Sequence, residues 1–226
     1  MKRHVLPLLF IGATMALTAC MQKPQQATPA TEEKPDPLAT LCLDTLEEDS
    51  LDLKYATEML RTGTPAPDFA LPTLTGDTLR LSDYSGEWLV LDFWASWCPD
   101  CRKDLPNVQR LYETYYSRGI EFAAISFDTD REAWQKAVKD YAIPYPQASE
   151  LRKFHDTEIA AAYGVKWIPS LYLISPDGRV ALGTVLSTRM ERVLEKVARP
   201  KRKEKPFDPR DYEIDEEGFL RPRLPR

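Results

Sequence analysis

Two cysteines separated by two residues, in Cys98-Pro99-Asp100-Cys101, are the part of this sequence whose types and spacing could do chemistry. A Cys-x-x-Cys pair suits reversible dithiol–disulfide exchange, because that spacing brings both sulfurs within bonding reach across one helical turn. The same pair is also half of a tetrahedral zinc site. The run Leu89-Val90-Leu91-Asp92-Phe93-Trp94 reads as a strand, and a helical pattern begins directly after the cysteines. A strand that delivers two thiols to the first turn of a helix favours redox chemistry, since unpaired N–H groups and the helix dipole stabilise a thiolate there. Zinc would need two more Cys or His ligands. Apart from Cys20 and His4 near the N-terminus, the chain offers only Cys42 and His155. His155 reads as an ordinary polar residue, and Cys42 as a half-buried thiol or, in the minority case, a partner in a regulatory or intermolecular disulfide.

The elements that must hold the pair can be read from hydrophobic period. Residues 88–94 are nearly all apolar, as expected of a central strand covered on both faces, with Trp94 in the core. Leu105, Val108, Leu111, Tyr112 and Tyr115 recur at helical spacing to about Arg118. Pro106 inside that pattern is predicted to kink the helix, and Gly119 to stop it. A second buried strand follows over 120–127, and Asp128-Thr129-Asp130 offers caps for a helix over 131–141. Ile143-Pro144-Tyr145-Pro146 breaks the chain before a short helix over 157–163. Upstream, 69–71 and 78–81 flank Thr75-Gly76-Asp77 as a hairpin, and 82–86 form a turn or short helix. Downstream, strands at 171–174 and 179–184 flank the turn Ser175-Pro176-Asp177-Gly178. A helix over 187–198 closes the pattern, with Met190, Val193, Leu194 and Val197 on one face. Strands alternating with helices predict an α/β domain over 62–200.

The flanks have other jobs. Lys2 and Arg3, an apolar stretch to Leu17 and then Leu17-Thr18-Ala19-Cys20 read as a secretory signal over 1–19, too short for a spanning helix. Its ending resembles the bacterial lipobox, which implies that Cys20 is lipidated and becomes the mature N-terminus. Acyl chains there would tether the chain to a membrane, each buried methylene adding ~0.8 kcal/mol. Residues 20–40, rich in Pro, Gln, Thr and Ala, read as a flexible tether. Residues 41–61, with leucines among many acids, are predicted helical; 201–226 form a charged tail, either disordered or a strap. The net charge of −5 and the scattered Lys and Arg exclude a basic nucleic-acid-binding face.

Asp92-Phe93-Trp94-Ala95-Ser96-Trp97-Cys98-Pro99-Asp100-Cys101, with Ile168-Pro169-Ser170 some seventy residues on, resembles the thioredoxin superfamily. With the lipobox, Pro67-Asp68-Phe69 and the run Cys101-Arg102-Lys103-Asp104-Leu105-Pro106, it is most similar to exported, membrane-anchored thiol–disulfide oxidoreductases of the TlpA/ResA type. The resemblance spans roughly 64–198. It implies a thioredoxin-like fold, a central mixed sheet flanked by helices with an N-terminal β-hairpin extension. It implies a redox-active Cys98–Cys101 disulfide and no other cofactor. Cys98, nearer the edge, is expected to be the nucleophile, and Cys101, more buried, the resolving thiol. Pro99 takes an early helical position where its missing N–H costs nothing. Asp92 matches a buried aspartate that moves the proton of the resolving cysteine, and its pKa should be raised; a strand-end Asp reaching solvent is the alternative. Pro169 matches the superfamily's cis-proline, and Ile168, with its free backbone, and Trp97 would meet the substrate.

Asp100 departs from thioredoxin's own motif. A carboxylate beside Cys98 disfavours the thiolate, so a reductant is predicted, with the Cys98 pKa not strongly depressed. The partners implied are disulfide-containing exported proteins, apocytochrome c among them, and a membrane thiol as electron donor. The place implied is a bacterial cell envelope, facing the periplasm or exterior. Two other readings stand beside this one. A zinc or copper module of the same fold lacks the ligands, and copper delivery in this fold uses a wider cysteine spacing. A thiol peroxidase needs Thr or Ser three residues before its cysteine, where Ala95 stands.

Overall fold

The computed structural model describes residues 36–39, 41 and 50–200, together with the backbone of two short strands in the tail. The leader, Cys20 and Cys42 lie outside the described residues, as does most of the tether. Among the described residues no helix is long and apolar enough to cross a membrane.

Strand β3 (Trp88–Trp94) is the centre of the molecule. From Leu89 onward it is buried, as its continuous apolar run requires. It pairs in parallel with β4 (Ile120–Ser126) and antiparallel with β6 (Ser170–Ile174). β5 (Gln147–Ser149) and β7 (Val180–Thr184) complete a five-stranded mixed sheet of order β5-β4-β3-β6-β7. A separate hairpin, β1 (Ala70–Pro72) with β2 (Thr78–Arg80), precedes the sheet and touches it through a bridge from Thr73 to Ala148. The fold class expected from the resemblance is the one observed. Its core is large: Leu89, Leu91, Phe93, Ile120, Ile125 and Trp134 are fully buried, each worth roughly 1.5–3 kcal/mol of transfer free energy.

Helix α2 (Pro99–Tyr115) links β3 to β4 and buries Cys101, Leu105, Val108 and Leu111. A single 3-10 turn then ends at Gly119, whose φ of 83° only glycine adopts without strain. α3 (Arg131–Asp140) starts where the Asp130 carboxylate accepts the Ala133 N–H at 3.0 Å. α4 (Glu158–Ala162) precedes β6, and α5 (Ser187–Val197) packs on α2. The ion pair Arg110–Glu191 joins those two helices, and Arg118 of the 3-10 turn pairs with Glu195 of α5.

Three features differ from the expectation. β5 forms directly after the proline-rich break, because the sheet supplies ladder partners in β4 that no local period announces. Within 50–61 the helix is confined to α1 (Ser50–Tyr55). Beyond it the Leu60 N–H donates to the Tyr172 hydroxyl at 2.8 Å instead of to a helical carbonyl. In the tail, β8 (Tyr212–Ile214) and β9 (Leu220–Pro222) pair antiparallel, where only a strap or disorder is predicted.

Candidate active site

Cys98 is the N-cap of α2. Its backbone is extended, at φ −79° and ψ 115°, and its sulfur accepts the Cys101 N–H at 3.1 Å. Pro99 follows in the first turn and loses nothing by lacking an N–H. The sulfurs of Cys98 and Cys101 are bonded to each other, with Cα atoms 5.3 Å apart. Cys98 Sγ also lies 3.6 Å from the carbonyl oxygen of Ile168, and the Ile168–Pro169 peptide is cis. The β3–α2 corner and the turn before β6 therefore close on one sulfur.

Cys98 is scarcely more exposed than Cys101. It is 4% accessible and Cys101 3%, because Ile168 and its carbonyl cover the first sulfur while the helix covers the second. What is exposed at this edge is Trp97, at 54%, with Pro99 and Asp100 beside it. The Trp97 indole N–H reaches the Phe127 carbonyl at 3.4 Å. Trp94 is core, its indole donating to Gln147 Oε1 at 2.9 Å.

The loop that carries Cys98 is held from below by Asp128. This buried carboxylate accepts the Ser96 N–H at 3.0 Å, the Ser96 hydroxyl, and the Ser126 hydroxyl at 2.7 Å. A buried carboxylate meeting several donors fixes its neighbours' geometry, and one of those neighbours here is Ser96, two residues before Cys98.

Asp92 sits on the face of β3 that α2 covers, 3% exposed. Phe122, opposite Val90 in the ladder, packs its ring against Tyr112 of α2, which fixes that face. Burial pushes the Asp92 carboxyl up to about 7, the negative field of Asp104 adds to the rise, and a hydrogen bond donated by Tyr145 opposes it. That bond is 3.3 Å long. Asp104 lies three residues after Cys101 on α2. Its Oδ1 accepts from Asn107 and Ser187, at 2.8 and 2.7 Å, while its Oδ2 is buried with no partner. A fully buried carboxyl thus lies in the field of a half-buried one on the dithiol helix, and Asp92 is poised to exchange a proton near neutrality.

All the residues singled out in the 92–101 motif and at 168–169 are therefore brought to one end of β3. Three others were not singled out for the site. Asp104 had a usable signal, since i+3 on α2 shares a face with Cys101. Tyr145 and Asp128 had none, because each acts through a contact distant in sequence. Among the described residues no group of three Cys, His, Asp or Glu side chains converges at metal-ligand distance.

Comparison with known proteins agrees with this geometry. A family model described as AhpC/TSA family matches residues 62–182. Thiol-disulfide oxidoreductase ResA of Bacillus cereus is 32% identical over 143 residues, covering 62% of this chain and 80% of the relative. ResA of Bacillus subtilis is 31% identical over 123 residues, covering 54% and 66%. Among solved structures, a thiol-disulfide oxidoreductase from Bacteroides fragilis aligns with a TM-score of 0.53 at 29% identity, over 57% of this chain and 98% of that one. A thiol:disulfide interchange protein from a Bacteroides species aligns with a TM-score of 0.57 at 25% identity, over 64% and 94%.

Proposed function

The chain belongs to the AhpC/TSA family and is a thioredoxin-like thiol–disulfide oxidoreductase, and from that premise we propose that it works as a reductant through Cys98 and Cys101. The observation that carries this reading is the bonded pair itself, set at the N-terminus of α2 with Cys98 as the cap.

In the reduced protein the Cys98 thiolate attacks one sulfur of a substrate disulfide. A Cys98–substrate bond forms, the substrate S–S bond breaks, and the departing thiolate takes a proton. Cys101 then loses its proton and attacks Cys98 Sγ. The Cys98–Cys101 bond forms, and the second substrate thiol leaves, protonated. Two electrons pass from the dithiol to the substrate, and a dithiol donor must return them. The ionised Asp92 carboxylate accepts the Cys101 proton in the second step, and burial together with the field of Asp104, by raising its pKa to about 7, makes it basic enough to do so. The Cys101 N–H stabilises the Cys98 thiolate and Asp100 opposes it, which keeps the couple on the reducing side. Ala95, three residues before Cys98, is buried and offers no hydroxyl for peroxide chemistry.

The Leu17-Thr18-Ala19-Cys20 ending supports a lipid anchor at Cys20 and a place outside the cytoplasm. The substrates we infer are disulfides of exported proteins, an apocytochrome c among them, and the donor is a membrane thiol. A Cys101→Ser variant tests the reading. It should accumulate a mixed disulfide with substrate on Cys98, visible on non-reducing gels and lost in Cys98→Ser/Cys101→Ser. Adducts formed by Cys98→Ser and not by Cys101→Ser would reverse the two roles.

A further inference from the structure

Helix α1 has six residues, far below the length at which a helix holds itself together in water. Its main polar anchor is Asp52. Asp52, 6% exposed, accepts the Thr184 hydroxyl at 2.9 and 2.8 Å, the Val185 N–H at 2.8 Å, and the Arg189 guanidinium at 2.6 Å. A latch of three donors on a buried carboxylate fixes the helix to the end of β7 and the start of α5. The helix nevertheless presents Leu51 and Leu53 to solvent, 45% and 58% exposed. Tyr55 stacks on Trp167, ring centroids 4.2 Å apart, and Trp167 directly precedes the Ile168–Pro169 turn that contacts Cys98.

Between α1 and that turn runs a groove of about 430 Å³, apolar along Leu51, Tyr55, Trp167, Pro169 and Leu186. That size is within the roughly 300–1,000 Å³ of ligand-binding clefts. It is continuous with the dithiol site, because Pro169 and Asp100 line it and both flank the cysteines. The adjoining sheet edge is already paired where β7 begins. Gly63 donates to the Val180 carbonyl and Val180 to the Thr64 carbonyl, both at 2.8 Å, so the chain itself pairs with the outer side of β7 at its first residue. The apolar lining of the groove favours recognition by side chains entering it.

We infer that α1 is the wall of a substrate groove, and that the groove takes an extended segment with large apolar side chains next to the substrate's disulfide. Leu51, Tyr55 and Trp167 would bury those side chains while the disulfide meets Cys98. The inference rests on the reductase reading above and adds a selectivity to it: exposed apolar residues beside a disulfide mark a protein not yet correctly folded.

Two peptides test it, each closed by one disulfide, one with Phe and Leu beside its cysteines and the other with Ser in those places. The pre-reduced full chain is mixed with each, and acid-quenched samples give second-order rate constants. The wild-type protein should prefer the apolar peptide by about tenfold, equivalent to ~1.4 kcal/mol. Leu51→Ser/Tyr55→Ser should bring that ratio to within about twofold, while Leu53→Ser, on the same helix but outside the groove, should keep it. A ratio near one in the wild-type protein overturns the inference whether or not the double variant folds. A ratio retained in a folded double variant overturns it as well. Failure of the reduced wild-type protein to reduce either peptide or a small aromatic disulfide would contradict the reductase reading itself, a different result from equal reduction of both peptides.

Discussion

Replacing Asp92 by Asn should reshape the pH dependence of stability, and the size of the change follows from its burial. The carboxyl moves from an ordinary 3.8 to about 7 in the folded protein. At ~1.36 kcal/mol per pH unit, that displacement is equivalent to about 4 kcal/mol. The folded pKa is raised, so the folded state holds the proton more tightly than the unfolded chain does. The stabilisation is complete below pH ~3.8, is lost as pH rises towards 7, and stays lost above it. Asn at this position does not titrate. Urea unfolding of both oxidised proteins between pH 4 and pH 8 should therefore show the difference in stability shifting by about 4 kcal/mol in favour of the variant. Taking the difference cancels every carboxyl that does not interact with Asp92. The kinetic counterpart is a loss of the limb near pH 7 in the rate of disulfide reduction. Parallel stability curves for the two proteins would refute the placement of a neutral, buried Asp92 under α2.

Tyr145→Phe removes the one hydrogen bond that lowers the Asp92 pKa. The Asp92 titration, followed by carboxyl NMR, should move upward, and the rate limb with it. Asp128→Ala leaves the Ser96 N–H without its acceptor under the Cys98 loop, and should cost about 2–3 kcal/mol in urea unfolding and slow disulfide exchange. Gly164→Ala should cost about 3 kcal/mol or more in the same assay, since φ is +64° and a Cβ would stand 1.9 Å from the Glu58 carbonyl oxygen. Gly178→Ala, at φ +79° with open space around it, should cost only about 1–2 kcal/mol.

The sequence by itself determined the parts that depend on local pattern. The unbroken apolar run of 88–94 could only be a strand covered on both faces, and Cys98, one residue before Pro99, could only sit at a helix start. The hairpins around Gly76 and Gly178 and the stop at Gly119 were equally legible, because turn chemistry is written in adjacent residues. Tertiary structure decided what these parts do to one another. Asp92 meets Tyr145 across 53 positions, Ser96 meets Asp128 across 32, and Asp52 meets Thr184 across 132. A period of 2.0 or 3.6 records which face of an element is apolar, but not which distant polar group it will find there. The resemblance singled out Asp92, but only the folded protein shows why its carboxyl titrates near neutrality: complete burial under α2, and a second carboxylate brought in on that helix.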